Sequence, residues 1–271
     1  MPLWIGLTAL GAGCAVAWSA AWLRVLTPVA AVLAGAFAAS LIAWGGLPWV
    51  LPGGAFFLGS TLVSRIGTTR KAQYADRVEK PGPRDAWQVL ANGGAAWACV
   101  LSEALLANGA GTGWYAAGLG AFATAAADTW GTELGTLSAR PPRSLRTGRR
   151  VPTGTSGAIS LHGTAGAALG AFTVALGAWL GGGASLLPAS GYTLAAGVTI
   201  SGCVGMLSDG LLGATLQARY RDPDTGALTE RPPSPTATPV HGCCGLHNDA
   251  VNLLGTTTGA AAAWALHAAL W

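Results

Sequence analysis

The chain has 271 residues, of which 51% are hydrophobic and 10% are charged, with a formal net charge of +4. Ordinary soluble domains carry roughly 25% charged residues. A water-soluble protein of this length would need far more polar surface, so the composition excludes that class. Several apolar stretches approach or exceed ~20 residues, which is enough to cross a bilayer as a helix. The sequence predicts an all-α, polytopic membrane helix bundle that forms one integral-membrane domain over residues 1–271.

Eight apolar segments follow one another as candidate transmembrane helices. The third contains Pro52 beside Gly53 and Gly54, so we expect it to be short, tilted or re-entrant. The predicted spans, in chain order, are Leu3–Leu23, Val25–Trp44, Trp49–Val63, Ala86–Ala107, Trp114–Leu137, Ala158–Leu180, Tyr192–Leu216 and Ala250–Leu270.

The connections alternate between short, glycine-rich, uncharged loops and loops that carry cations. With eight spans, all 15 Lys and Arg residues fall on one side of the membrane. The positive-inside rule makes that side cytoplasmic, so we expect a multi-pass protein of the cell (inner) membrane with both termini outside. Removing one span would divide the cations between two faces, which supports the count. Besides Arg24, the basic residues lie in three loops, 64–85, 138–157 and 217–249.

Acidic side chains occur inside the predicted spans, close to the basic side. Asp128 lies about ten positions before Ser138, at a depth of ~15 Å or less, and Glu133 is shallower. Asp209 precedes Arg219 by a similar distance. An ionised carboxylate in lipid costs at least a few kcal/mol, so these acids should face one another or a wet cavity. Two other spans open from the same side with polar residues, namely Asp85 and Asn92 in the fourth and Asn248, Asp249 and Asn252 in the eighth.

Acids that converge need compensation by protons, by Arg and Lys, or by a divalent cation. Cations clustered at the same level bind phosphate well. Together the two groups predict Mg²⁺ with a phosphorylated ligand. Whether Asp128 and Glu133 share a metal stays open, because five positions separate them by about 140° around an ideal helix. They converge if the helix loosens near Gly131, or they bind separate metals.

A glycine-rich basic segment, "RRVPTGTSG" from Arg149 to Gly157, precedes the sixth span. Backbone N–H groups of such a loop at a helix N-terminus form an anion-binding nest. It is not a Walker A sequence, because no Lys follows a glycine in the required pattern. The arginines from Arg140 to Arg150 have an alternative interpretation as topology determinants that touch anionic lipid headgroups.

Six motifs between Ser64 and Leu254 resemble an integral-membrane family of long-unassigned function that includes a plant phytyl-phosphate kinase. More distantly, Asp128 followed by a basic stretch and the glycine-rich loop resembles the CTP-site pattern of dolichol and phytol kinases. The matching motifs are "SRIGTTRKAQYAD", "KPGPRDAWQVLANGG", "AAADTWGTELG", "GTSGAISLHGTAG", "SDGLLGATLQ" and "NDAVNLL".

The resemblance implies a kinase that uses a nucleoside triphosphate, CTP or ATP, to convert an isoprenoid alcohol monophosphate such as phytyl or prenyl phosphate into the diphosphate. Its expected partners are the nucleotide, the isoprenoid phosphate and membrane lipids, with no nucleic acid. The implied catalytic and Mg²⁺-binding residues are Asp128, Glu133 and Asp209. The implied nucleotide-binding residues are Arg149, Arg150, Thr153, Gly154, Thr155, Ser156 and Gly157. The implied substrate-binding residues are Lys71, Lys80, Arg84, Asp85, Asn92, Asn248 and Asn252.

The alternative function is a transporter or flippase for an anionic or lipid-linked substrate, with the same acids acting as a proton or cation relay. That function requires polar groups through the full depth of the membrane. The outer half of the predicted spans has little except Glu103. The sequence therefore favours chemistry at the basic side over a through-path.

Overall fold

A computed structural model describes residues 2–67, 82–106, 111–187, 190–223, 226, 228–234 and 236–270. The described chain is mainly helical, which confirms the predicted all-α class. Short antiparallel pairs join Arg143–Ser144 (β1) to Ala158–Ile159 (β2) and Tyr220–Arg221 (β3) to Leu228–Thr229 (β4). The helices are α1 (Leu3–Trp22), α2 (Pro28–Ser40), α3 (Leu47–Ser64), α4 (Ala86–Leu105), α5 (Gly111–Gly135), α6 (Leu161–Leu180), α7 (Gly183–Leu186), α8 (Gly191–Thr215) and α9 (Asn248–Leu270).

Five helical segments among the described residues are long and apolar enough to cross a membrane: α1, residues Pro28–Gly45, α3, α6 and α8. Helices α4, α5 and α9 have 20, 25 and 23 residues, but their compositions are more polar. The polytopic helical membrane architecture is thus confirmed, and the count of eight spans stays a prediction.

Helix α5 lies at the centre of the bundle and packs against α3, α4, α6, α8 and α9. Every residue from Tyr115 to Ala127 is buried. The segment is rich in Ala and Gly, and such small residues allow helix backbones in membranes to approach closely. A Cβ atom placed on Gly259 of α9, for example, would lie only 2.8 Å from the carbonyl oxygen of Gly120.

Helix α3 is a continuous helix of 18 residues rather than a re-entrant turn, although Pro52 lies inside it. A proline inside a helix leaves the carbonyl four residues earlier without its N–H donor. Here that carbonyl belongs to Pro48, and it accepts a hydrogen bond from the Tyr115 hydroxyl at 3.0 Å. A side chain of α5 therefore replaces the missing backbone donor and keeps α3 intact.

Two other helices begin later than predicted because side chains cap them. Helix α6 starts at Leu161, not at Ala158, since the Ser160 Oγ accepts a hydrogen bond from Gly163 N at 3.1 Å. Helix α2 starts after Thr27, which caps Ala30 N, and ends in a π-helical turn over Leu41–Gly45.

The two ends of the bundle differ in their polar contacts. At one end, Trp49 Nε1 donates to Glu103 Oε2 at 2.9 Å, so Glu103 is a packing partner. At the other end, Arg84 N donates to Val25 O and Arg84 O accepts from Thr27 N, at 3.1 and 3.0 Å. This second end, which carries the described basic loops, is called the basic end below.

The close crossing of α5 and α9 predicts that two glycine-to-alanine substitutions differ in their effect on the stability of the protein. Gly259→Ala is expected to lower the free energy of unfolding by about 1–3 kcal/mol, because the added methyl would collide with Thr124 Oγ1. Gly11→Ala is the matched control, since no atom lies within 4 Å of a Cβ there. Thermal unfolding in detergent measures both. A Gly259→Ala protein that melts at or above the wild-type temperature would contradict the close packing.

Candidate functional site

A cavity of about 510 Å³ lies at the basic end of the bundle. Asp128 and Glu133 of α5 and Asp209 of α8 all line it, so the structure brings the three predicted acids to one place. Asn248 and Asn252 from the start of α9 complete this wall. We call the cavity the acid cleft. The roles assigned to its residues stay predictions.

Glycines set how closely the helices around the acid cleft approach. A Cβ on Gly131 would lie 3.3 Å from Gly163 O, so α5 and α6 are in near contact beside the cleft. A Cβ on Gly255 would lie 2.9 Å from Asp209 Cβ, so α9 packs directly behind this acid. Because no side chain separates the helices, their polar residues reach the same cavity.

The two acids of α5 reach the cleft without any loosening of their helix, since α5 runs unbroken from Gly111 to Gly135. The helix is therefore not loosened near Gly131, and the other alternative, in which Asp128 and Glu133 bind separate metals, stays a prediction. Within the described ranges, no group of three or more His, Cys, Asp and Glu side chains is close enough to hold a metal. Mg²⁺ in phosphate-transfer sites is bound by one or two carboxylates together with waters and phosphate oxygens. The separated acids fit that mode of binding.

Residues Thr153–Gly157, which we call the phosphate loop, line the acid cleft throughout. Gly154 and Gly157 have φ angles of +85° and +68°, a conformation that favours glycine. Gly157 also lies against α8, because a Cβ there would be 2.5 Å from Ala214 Cβ. The glycines of this motif thus let the loop turn and pack against the helix that carries Asp209.

Two side chains beyond α8 hold the phosphate loop in place. Arg219 Nη2 donates to Ser156 O at 2.9 Å and to Gly213 O at 2.8 Å. Ser156 Oγ donates to Oε1 of the buried Gln217 at 2.8 Å. Burial lowers the pKa of Arg219, and the nearby Glu230 opposes that shift. Arginine stays charged in proteins, so Arg219 is a permanent cross-link between loop and helix.

A smaller cavity of about 240 Å³ adjoins the acid cleft and is lined by Arg84, Gln88 and Asn92. We call it the amide chamber. Burial lowers the pKa of Arg84, and the Glu133 carboxylate opposes this shift. Arg84 Nη2 also donates to Ser64 Oγ at 3.1 Å, which fixes the guanidinium. The residues lining both cavities are Asp128, Thr132, Glu133, Glu230, Asn248 and Asn252.

Some predicted site residues do not line these cavities. Arg149 and Arg150 are exposed and are not among the residues that line the acid cleft. Asp85 forms a capping box for α4: Oδ1 accepts from Gln88 N at 2.9 Å, and Asp85 N donates to Gln88 Oε1 at 3.0 Å. Asp85 thus caps α4 and is not among the residues that line the two cavities, and its predicted substrate-binding role stays a prediction. Lys71 and Lys80 lie outside the described residues.

Sequence reasoning missed several residues of the site. Glu230 lines both the acid cleft and the amide chamber, and its only sequence signal is an acid at the edge of a Pro/Thr-rich tract. Gln217 and Arg219 follow α8 and bind the phosphate loop. The sequence marks Arg219 only as one of the basic residues that set the topology. Asp249, 5% exposed, lines the amide chamber and was left out of the predicted site.

The helices and the acid cleft define a polytopic helical membrane protein with a carboxylate-lined cavity at one end. The chain belongs to the integral membrane protein DUF92 family, whose model matches residues 11–260. The predicted membership of an integral-membrane family is thereby confirmed.

Three curated proteins illustrate the range of relatives. The chain is 29% identical to Protein PGR of Arabidopsis thaliana over 224 residues, which cover 73% of this chain and 74% of the relative. It is 34% identical over 165 residues to an uncharacterized membrane protein of Methanocaldococcus jannaschii, covering 60% and 63% of the two chains. It is 29% identical over 196 residues to an uncharacterized membrane protein of a Synechocystis species, covering 68% and 70%. No solved structure matches the chain.

The capping box gives a test of the role of Asp85. Asp85→Ala is expected to lower the free energy of unfolding by about 1 kcal/mol, because Gln88 N loses its acceptor. Asp85→Asn is the control, since Asn caps helices about as well as Asp. Thermal unfolding in detergent measures both variants. An unchanged melting temperature in Asp85→Ala would rule out the capping role.

Proposed function

We propose that the protein is a phosphotransferase that uses CTP or ATP to convert an isoprenoid alcohol monophosphate, such as phytyl or prenyl phosphate, into the diphosphate. One observation carries the proposal: three acids from two helices and a glycine-rich loop line one cavity at the basic end of the bundle. Carboxylates, backbone N–H groups and arginine are the groups that phosphoryl transfer uses. The motif resemblance to a family with a phytyl-phosphate kinase supports the same activity.

The two adjoining cavities suit two phosphorylated substrates. In this proposal the phosphate loop binds the triphosphate in the acid cleft, with the nucleotide arriving from the cytoplasm. Arg84 and the amides of Asn92 and Asn252 bind the lipid phosphate in the amide chamber, while its hydrocarbon tail lies in the bilayer. Asp128 and Glu133 belong to the wall that both cavities share, so the two phosphates would meet beside these acids.

The chemistry needs positioning more than proton transfer. An oxygen of the lipid phosphate attacks the γ-phosphorus, the bond to the β–γ bridging oxygen breaks, and the nucleoside diphosphate leaves. The attacking phosphate is already anionic, so no strong general base is required. Arg84 offsets its charge, and the amides orient its oxygens. One or two of the acids Asp128, Glu133 and Asp209 would hold Mg²⁺ together with waters and phosphate oxygens, and the bound ion would neutralise charge on the phosphoryl oxygens.

The packing between the two ends of the bundle disfavours the transporter alternative. Along α5, Phe122 lies between Tyr115 near the far end and Asp128 in the cleft. Its ring is fully buried and stacks on Phe37 with a centroid distance of 5.8 Å. Ala123 and Ala126, on the next turn of α5, are also fully buried, and the Thr124 hydroxyl between them donates to Gly120 O at 2.9 Å. A polar path to Glu103 would have to cross this closely packed layer.

The first prediction from this function concerns Asp128. Asp128→Asn is expected to reduce diphosphate formation by about 100-fold or more, because a charge that serves the transition state is lost. The assay uses purified protein in detergent with labelled CTP or ATP, Mg²⁺, and phytyl or farnesyl monophosphate. Asp222→Asn, the same change in a loop outside the cavities, serves as the control and should keep wild-type activity.

Two results would contradict the proposal. One is undiminished turnover by Asp128→Asn. The other is absence of transfer by the wild-type protein with either nucleotide, together with flux of the lipid phosphate in proteoliposomes; this would favour the transporter.

A second prediction concerns metal binding at the acid cleft. Asp209→Asn is expected to weaken binding of Mn²⁺, used in place of Mg²⁺, by about tenfold or more in the presence of nucleotide. Electron paramagnetic resonance of free Mn²⁺ measures the affinity. Glu103→Gln, at the far end of the bundle, removes an acid without touching the cleft and should leave the affinity unchanged. Equal affinities in wild type and Asp209→Asn would remove Asp209 from the metal site.

A further inference from the structure

A third cavity, of about 430 Å³, adjoins the acid cleft at the phosphate loop. We call it the loop cavity. Gly154, Thr155 and Ser156 line both cavities, and so does Glu230. The two cavities therefore meet at these four residues, which form their shared wall. The rest of the lining consists of Val151, Pro152, Arg219, Leu228 and Thr229.

The position of the loop cavity indicates a ligand from the aqueous phase. Its lining comes from the loops after α5 and α8, including β4, and from none of the long helices. A hydrocarbon tail in the bilayer would instead reach a cavity between the spans. The occupant should therefore be water-soluble, and it should extend toward the acids through the loop residues that both cavities share.

The chemistry of the lining matches a nucleoside. Val151, Pro152 and Leu228 offer apolar surface for the faces of a planar base. Hydroxyl groups of Thr155 and Thr229 and the carboxylate of Glu230 can pair with ribose hydroxyls and the edge of the base. Small-molecule sites combine apolar walls with few polar groups in this way, and they usually measure about 300–1,000 Å³.

The shared wall is built rigidly enough to hold such a ligand. Thr155 Oγ1 donates to Pro152 O at 2.7 Å, which closes the turn at the start of the loop. Arg219 Nη2 donates a hydrogen bond to Ser156 O at 2.9 Å, which fixes the other end of the loop. A preformed wall lowers the ordering cost of binding.

We propose that the loop cavity binds the base and ribose of the donor nucleotide, while its phosphates pass across Gly154–Ser156 into the acid cleft. This inference rests on the proposed phosphotransferase function and assigns the nucleoside part of the same nucleotide a separate site. It also gives Glu230 a place at the junction of the nucleoside and the phosphates.

The test fills the loop cavity and compares two kinds of ligand. Val151→Trp should weaken binding of CTP or ATP by at least about tenfold, because the indole occupies the space of the base. Binding of inorganic tripolyphosphate should stay unchanged, since it needs only the phosphate loop. Val240→Trp is the matched control at an exposed valine outside the cavity, and it should change neither affinity. Equilibrium dialysis with labelled ligands measures both constants.

A photoaffinity experiment on the wild-type protein covers the case in which Val151→Trp does not fold. A nucleoside triphosphate with an azido group on its base should label Val151–Ser156 or Leu228–Glu230. Labelling confined to the long helices, failure of nucleotide to bind, or equal loss of nucleotide and tripolyphosphate affinity in Val151→Trp would each overturn the proposal. An unchanged nucleotide affinity in that variant would do the same.

The outcomes separate this inference from the proposed function. If the wild-type protein binds nucleotide and Val151→Trp binds it more weakly, but no phosphate is transferred, the kinase is rejected and the nucleoside site is retained. Phosphate transfer by the wild-type protein, together with an unchanged nucleotide affinity in Val151→Trp, would support the kinase and reject the nucleoside site.

Discussion

Burial of the middle of α5, Tyr115–Ala127, on every side is the constraint on which the rest of this structure depends. A helix enclosed by five neighbours in a membrane cannot use large side chains at each contact, so Ala and Gly fill its middle. Close backbone approach then brings the ends of α6, α8 and α9 to the level of Asp128 and Glu133. This packing forms the cleft, because Asp128 and Glu133 follow the small residues along α5 and line the cavity between the neighbouring helices.

The phosphate loop and α8 form a second level of organisation. Arg219 joins Ser156 O to Gly213 O, so the loop and the end of the helix that carries Asp209 are linked through one guanidinium. Gly157 permits direct contact between the same two elements. Hydrogen bonds to a charged group are stronger than neutral ones, so this guanidinium forms a firm link between loop and helix.

Much of this organisation could be predicted from local sequence signals. Apolar length gave the helical membrane class, and the cost of acids in lipid predicted that Asp128, Glu133 and Asp209 would share a cavity. The glycine pattern of Thr153–Gly157 predicted the loop. Each of these depends on residues near one another in the chain or on a strong desolvation penalty.

The features that could not be predicted depend on long-range contacts. Continuity of α3 requires the Tyr115 hydroxyl to reach Pro48 O, 67 residues away in sequence. Glu230 reaches the cleft from a loop that is anchored by the pairing of β3 with β4. Strands of only two residues leave no recognisable pattern in the sequence. The capping role of Asp85 could not be predicted, because the same carboxylate type can bind a ligand or cap a helix, and only the geometry at Gln88 shows the cap.

The hydrogen bond from Tyr115 to Pro48 has a consequence for how the bundle assembles. A buried carbonyl without a partner is costly, so the first turn of α3 lacks a hydrogen bond until α5 is beside it. The first turn of α3 is therefore completed by a side chain 67 positions later in the chain, which couples the packing of these two helices.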